Sequence, residues 1–142
     1  MGAANAYQAY RNAELQTVSQ RDLIVRLYLG AERFLIQAQT AMQNRQIEMA
    51  HRSCLRAKDI FSELLMTLNF EKGGDIAEQL KELYVFLIWA ITEANLKKDP
   101  AKVAELLPIV STLRDAWQSI PDEQASMTSL PEGVRNLVSL RT

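Results

Sequence analysis

Few side chains in this sequence could carry out bond-making chemistry, and their spacing argues against it. His51 is the only histidine. It sits in the polar run Glu48-Met49-Ala50-His51-Arg52, where a solvent-facing ring is a simpler expectation than a catalytic base. A zinc site needs several His or Cys residues at ligand spacing, and neither His51 nor Cys54 has such a neighbour, so no metal is expected. Cys54 falls on the apolar stripe of a helix and reads as a buried structural thiol rather than a nucleophile. The acidic pairs Asp22/Glu32 and Glu78/Glu82 read as solvated helix faces rather than as an acid and a base. There is no G-x-S-x-G elbow, P-loop or dinucleotide fingerprint, and Gly73-Gly74 is a turn signal only. A helical enzyme of the chorismate mutase kind would hold a dicarboxylate between inward-facing Arg and Lys. Here Arg26 and Arg33 fall to one flank of the core stripe. No catalytic group and no cofactor is expected, and the chain does not read as an enzyme.

The elements that must position any binding surface follow from composition and periodicity. A chain of 142 residues, 48% hydrophobic and 23% charged, fits one globular domain. Sixteen Lys+Arg against seventeen Asp+Glu leave a net charge of −1, without the dense basic face that nucleic acid requires. One cysteine permits no internal disulfide, so a reducing compartment such as the cytoplasm is expected. The start of the chain lacks the pattern of a signal peptide, and the apolar run 85–91 is far too short to cross a membrane, so no membrane insertion is expected.

The spacing predicts a short N-terminal arm (1–18), four helices (about 20–43, 46–69, 75–97 and 100–119) and a tail (121–142). Thr17 or Ser19 would cap the first helix. The glycines of Glu71-Lys72-Gly73-Gly74-Asp75 would separate the second and third, with Asp75 as a cap. Asp99-Pro100 would open the fourth, which Pro108 should bend or divide. A short amphipathic helix is expected in the tail, with Val134, Leu137, Val138 and Leu140 apolar. Long helices joined by short loops imply an all-α, antiparallel up-down four-helix bundle with residues 19–120 as its body.

Projected at 100° per residue, the helices carry more apolar residues than one core needs. Helix 2 places Ala50, Cys54, Ala57, Phe61, Leu64 and Leu68 on one stripe. Helix 4 does the same with Val103, Leu106, Leu107, Val110, Leu113 and Trp117. Helix 3 has a core stripe of Ile76, Leu80, Leu83, Tyr84, Leu87 and Ile91, and a second stripe of Val85, Trp89 and Leu96 on the opposite side. Helix 1 has Leu23, Leu27, Ala31, Phe34, Ala38 and Ala41 inward, Ile24, Tyr28, Leu35 and Met42 on a flank, and Val25, Leu29 and Ile36 almost behind. Three arrangements would cover this surplus: the arm and tail in cis, a homodimer, or a partner's helices lying in a groove. The homodimer would make the chain a self-associating bundle with a structural or scaffold role.

Taken together in order and spacing, certain residues resemble a known family, the flagellar secretion chaperones that bind flagellin (FliS). The opening Ala6-Tyr7-Gln8-Ala9-Tyr10 is similar to that family's A-Y-x-x-Y start. The run Leu23 to Ala31, followed by Arg33-Phe34-Leu35, resembles its L-x-x-x-L-Y-x-G-A-x-R-F-L stretch. Lys58-Asp59-Ile60, Glu63-Leu64, Thr67-Leu68-Asn69, Gly73 to Ala77, Leu83-Tyr84, Glu93-Ala94-Asn95, Lys98-Asp99 and Arg114 to Trp117 match in turn, so the resemblance spans about 6–117. Departures at Gln20, Arg26, Leu29 and Ile88-Trp89-Ala90 change the surface of helices 1 and 3.

The resemblance implies a cytoplasmic chaperone that binds the C-terminal, disordered segment of flagellin. It would prevent premature polymerisation and deliver flagellin to the type III export apparatus, with a contact to the export gate's cytoplasmic domain. It also implies an arm, with Tyr7 and Tyr10, that covers part of the cargo surface until cargo arrives. Joined to the apolar surplus, it points to Tyr7, Tyr10, Ile24, Val25, Tyr28, Leu29, Val85, Trp89 and Leu96 as partner-binding residues. The free chain is expected to be a monomer or weak homodimer.

Overall fold

The computed structural model describes residues 19–121, together with Ala6. The expected arm (1–18) and tail (121–142), including the amphipathic stretch around Leu137, lie outside the described residues apart from Ala6 and Pro121. Four helices follow one another: α1 (Gln20–Gln43), α2 (Ile47–Met66), α3 (Phe70–Lys97) and α4 (Pro100–Ser119).

Local chemistry accounts for their ends. The Ser19 hydroxyl accepts a hydrogen bond from the Asp22 amide at 3.1 Å, satisfying one of the unpaired N–H groups that open α1. The Asp99 carboxylate does the same for the Ala101 amide at 3.0 Å, and Pro100 supplies a first helical residue that has no N–H to satisfy. Pro108 does not divide α4, which runs unbroken to Ser119.

The turn between α2 and α3 differs from expectation. α2 ends at Met66, where the Thr67 hydroxyl donates to the Leu64 carbonyl at 3.0 Å. α3 then begins at Phe70, a turn before the glycine pair. Its cap is Asn69, whose side chain accepts from the Lys72 amide at 3.0 Å, so Asp75 is not the residue that opens it. The helix breaks at Gly74, with φ 51° and ψ −126°, a conformation that only glycine adopts without strain. A side chain there would meet nothing within 4 Å, so the requirement for glycine is one of backbone conformation and not of space.

Long-range pairings give the topology. Along α1 and α4, Arg21 Nη1 donates to the Ile120 carbonyl at 3.1 Å, the Trp117 indole donates to the Tyr28 hydroxyl at 3.2 Å, and Arg114 binds Glu32. One index rises as the other falls, so the two helices are antiparallel. Phe61–Tyr84 and His51–Asn95 give the same relation for α2 and α3. α1 packs against α2 and α4, and α2 against α3. The α3–α4 contact is the slightest of the four, and α1 and α3 stand diagonally opposite. The fold is thus the expected antiparallel four-helix bundle.

At mid-height each helix contributes an aromatic side chain to one junction. The Tyr28 ring on α1 lies 6.2 Å from Phe61 on α2 and 6.4 Å from Tyr84 on α3, and Phe61 lies 6.2 Å from Tyr84. The two phenol oxygens are 2.5 Å apart, and the Trp117 indole of α4 donates into the pair. Both phenols are sealed from water. Burial pushes the Tyr28 hydroxyl well above its ordinary range, and burial pushes Tyr84 up to about 12.

All six core-stripe residues expected on α2 are buried, and so are the six on α1. Val103, Leu106, Val110 and Trp117 of α4 are buried too, with Leu107 and Leu113 packed against them. Ile76 corrects the reading of α3. It is exposed rather than part of the core, because it lies just beyond the Gly74 break, at the end of the bundle.

Two stability outcomes follow. A phenol held neutral in the folded chain and released on unfolding binds its proton more tightly in the folded state. Stability should therefore hold up to about pH 10 and fall as pH rises towards 12, by roughly 2–3 kcal/mol for Tyr84. Urea titrations across this range should show the fall, and Tyr84→Phe should reduce it. Gly74→Ala should lower stability by about 1–2 kcal/mol in the same measurement, through backbone strain alone.

Candidate partner-binding surface

The side chains with catalytic character occupy structural positions. Cys54 is buried, and burial pushes its thiol up and away from the reactive thiolate, against the opposing pull of Lys98 and Lys58. His51 is exposed, as expected, but its Nδ1 also accepts from the Asn95 amide nitrogen at 2.9 Å. The Asn95 amide oxygen in turn accepts from Lys98 Nζ at 2.8 Å, so this group fastens α2 to the C-terminal turn of α3. Glu32 is no free carboxylate on a solvated face. Arg114 Nη1 reaches both of its oxygens at 2.8 Å. Its partial burial raises its pKa, with Arg114 pulling the other way. Among the described residues no group of three His, Cys, Asp or Glu is placed to hold a metal ion.

The open apolar surface is what remains. Trp89 is 70% exposed and Leu96 80%, large fractions for side chains of this kind. Val85 is also exposed, one turn before Trp89. These three therefore lie on the outer face of α3, as the helical spacing predicts. Phe86, three residues before Trp89, borders the same face and is half exposed. It was not among the expected residues, although the i, i+3 relation to Trp89 is a signal that would have included it.

The surface of α1 is narrower than expected. Leu29 is exposed, and Ile36, two turns further on, lies open beside it. Ile24, Val25 and Tyr28 do not join them: all three are buried. The reason is position. α1 is flanked by both α2 and α4, so its buried arc reaches beyond the inward stripe, and Tyr28 is drawn into the central junction. Tyr7 and Tyr10 lie outside the described residues. The structure thus gathers Val85, Trp89 and Leu96 on one face and places Leu29 on the helix diagonally opposite, so the two patches do not form one groove.

Charged residues border the α3 face. At its C-terminal end Glu93 accepts from Lys97 at 3.1 Å and Lys102 at 3.3 Å. Those hydrogen bonds, Lys97's first, hold its carboxyl below the ordinary range. Towards the N-terminal end, Glu78 lies 3.9 Å from Lys81, while Glu82 has no ion pair among the described residues. No helix of the described residues is long and apolar enough to cross a membrane.

A helical bundle with a long exposed apolar face offers the kind of surface on which a helix of another chain can lie. The family is shown directly by comparison. The model of the family described as flagellar protein FliS matches residues 3–124, and the chain belongs to that family. It is similar to the flagellar secretion chaperone FliS of Vibrio cholerae, 34% identical over 94% of this chain and 98% of the relative. The protein of that name from Campylobacter jejuni is also 34% identical, over 84% of this chain and 93% of its own length. The one from Bacillus subtilis is 30% identical, over 87% and 92%.

The division between surface and core is testable by substitution. Trp89→Asp should leave the helical circular dichroism signal intact and shift stability by no more than about 0.5 kcal/mol. Ile24→Asp should unfold the chain or cost more than about 3 kcal/mol, because it buries an unpaired carboxylate.

Proposed function

We propose that this protein is a flagellar secretion chaperone of the cytoplasm. It binds the C-terminal segment of flagellin, keeps it from polymerising early and hands it to the type III export apparatus through the cytoplasmic domain of the export gate. The observation that carries the reading is the outer face of α3, where Val85, Trp89 and Leu96 stand open in a chain whose family members are named secretion chaperones.

Burying a large apolar side chain contributes roughly 1.5–3 kcal/mol, so the three α3 residues and Phe86 together offer about 6–12 kcal/mol before costs. Association and the ordering of a disordered segment consume much of that. The same cargo would gain by also covering Leu29 and Ile36. Because α1 and α3 are diagonal, a segment that touches both must run around the bundle, which suits a long, initially unstructured chain. In this reading the arm, with Tyr7 and Tyr10, competes for part of the surface and gives way to cargo. Exchange of that kind needs only a difference in affinity between the two occupants.

Calorimetry with a peptide of flagellin's C-terminal segment should show one-to-one binding and a clearly negative heat-capacity change, the mark of apolar burial. Absence of binding at tens of micromolar (about 10⁻⁵ M), with a concentration-dependent dimer in light scattering that Trp89→Asp dissolves, would instead assign the face to self-association.

A further inference from the structure

The α3 face is electrically lopsided, and that asymmetry bears on what lies across it. On the N-terminal side of Val85, Phe86 and Trp89 the acidic residues along the helix are Glu78 and Glu82, and on the C-terminal side Glu93 follows Trp89 by one turn. Glu82 falls three residues before Val85 and seven before Trp89, hence on the same face. It is exposed and has no ion pair among the described residues, and the one cation near Glu78, Lys81, stands at 3.9 Å. Asp75, one turn earlier, and Glu71, beyond the Gly74 break, are also exposed and without an ion pair among the described residues. The Leu96 end is the reverse. There two lysines, Lys97 and Lys102, share the single carboxylate of Glu93 and leave local positive charge. Negative charge thus gathers at one end of the apolar stripe and positive charge at the other. From Glu82 to Leu96 the stripe is about 21 Å long, four turns of a helix laid along it.

Resting on the cargo reading above, we infer that the segment seated on α3 is an amphipathic helix with a basic side chain at the end that meets Glu82, and that this pairing sets the direction in which it lies. Apolar contacts between two stripes tolerate either direction. Charges at the rim discriminate between them, because the reversed helix would set its cation beside Lys97 and Lys102 and leave Glu82 facing no counter-charge. Glu82 is a specificity residue in this scheme, while Trp89 and Leu96 supply the contact area.

The test uses the full chain and a peptide of flagellin's C-terminal segment, read by the fluorescence of the exposed Trp89. Binding should weaken as salt rises from about 50 to about 500 mM, over which range screening shortens to a few ångströms. Glu82→Lys exchanges one good helix former for another on an exposed surface, so the fold is kept. It should weaken binding about tenfold at low salt and remove most of the salt dependence. A peptide whose basic residue at that end is changed to Glu should bind the Glu82→Lys chain more tightly than the unaltered chain. Equal affinities within about twofold, with unchanged salt dependence, would overturn the inference. Trp89→Asp, measured in parallel by calorimetry, separates the two levels. If it abolishes binding while Glu82→Lys does nothing, cargo binding stands and the directional pairing fails. If neither substitution matters, the α3 face is not the binding surface and both fail.

Discussion

Everything in this bundle is referred to the aromatic junction at its centre. Tyr28, Phe61, Tyr84 and Trp117 come from four different helices, and their rings and polar atoms meet at one level. Rings alone would tolerate sliding of one helix against another. The hydroxyl pair does not, because a buried polar atom that loses its partner costs far more than the bond contributes. The junction therefore fixes rotation and height together. A one-residue rotation of α1 would bury Leu29 and withdraw Tyr28 from Tyr84 and Trp117.

Once rotation is fixed, the outer faces follow. α1 has substantial neighbours on two sides, so most of its apolar circumference is covered. α3 packs well only against α2 and slightly against α4, with its inward arc committed to Tyr84, Leu87 and Ile91. Val85, Trp89 and Leu96 are consequently left outside. They are not misplaced core residues. The core is complete without them, and Pro100, Asp99 and the Lys98–Asn95 contacts hold the end of α3 independently of that face. An exposed face built this way can be apolar without destabilising the body that carries it. Charged residues, Glu78, Glu82 and Glu93 among them, are interleaved along it.

The ion pairs and caps act at the periphery. Arg114 with Glu32, and Arg21 with the Ile120 carbonyl, tie the two helices that bracket the chain, α1 and α4. His51, Asn95 and Lys98 close the far end between α2 and α3. A lone histidine and a lone cysteine thus find structural employment, the first in a hydrogen bond that joins helices and the second in packing.

The amino-acid sequence by itself determined the four helices, the cap at Asp99, the bounds of α1 and α4, most of the inward stripes and the apolar surplus on α3, and it narrowed the α1 cap to Thr17 or Ser19. These depend on local spacing and end chemistry, which the chain carries wherever it goes. It also carried the motifs that resemble the secretion chaperones. Only the tertiary structure decided how wide each buried arc is. Ile24, Val25 and Tyr28 read as surface because periodicity says which residues share a face, not how many neighbours crowd it. Ile76 read as core because its stripe continues through a break that only the Gly74 backbone reveals. Glu32 read as solvated because its partner, Arg114, lies 82 residues away in sequence. The separation of the α1 and α3 patches is of the same kind. It depends on which helices stand diagonally in the bundle, a relation between distant segments that no local pattern encodes.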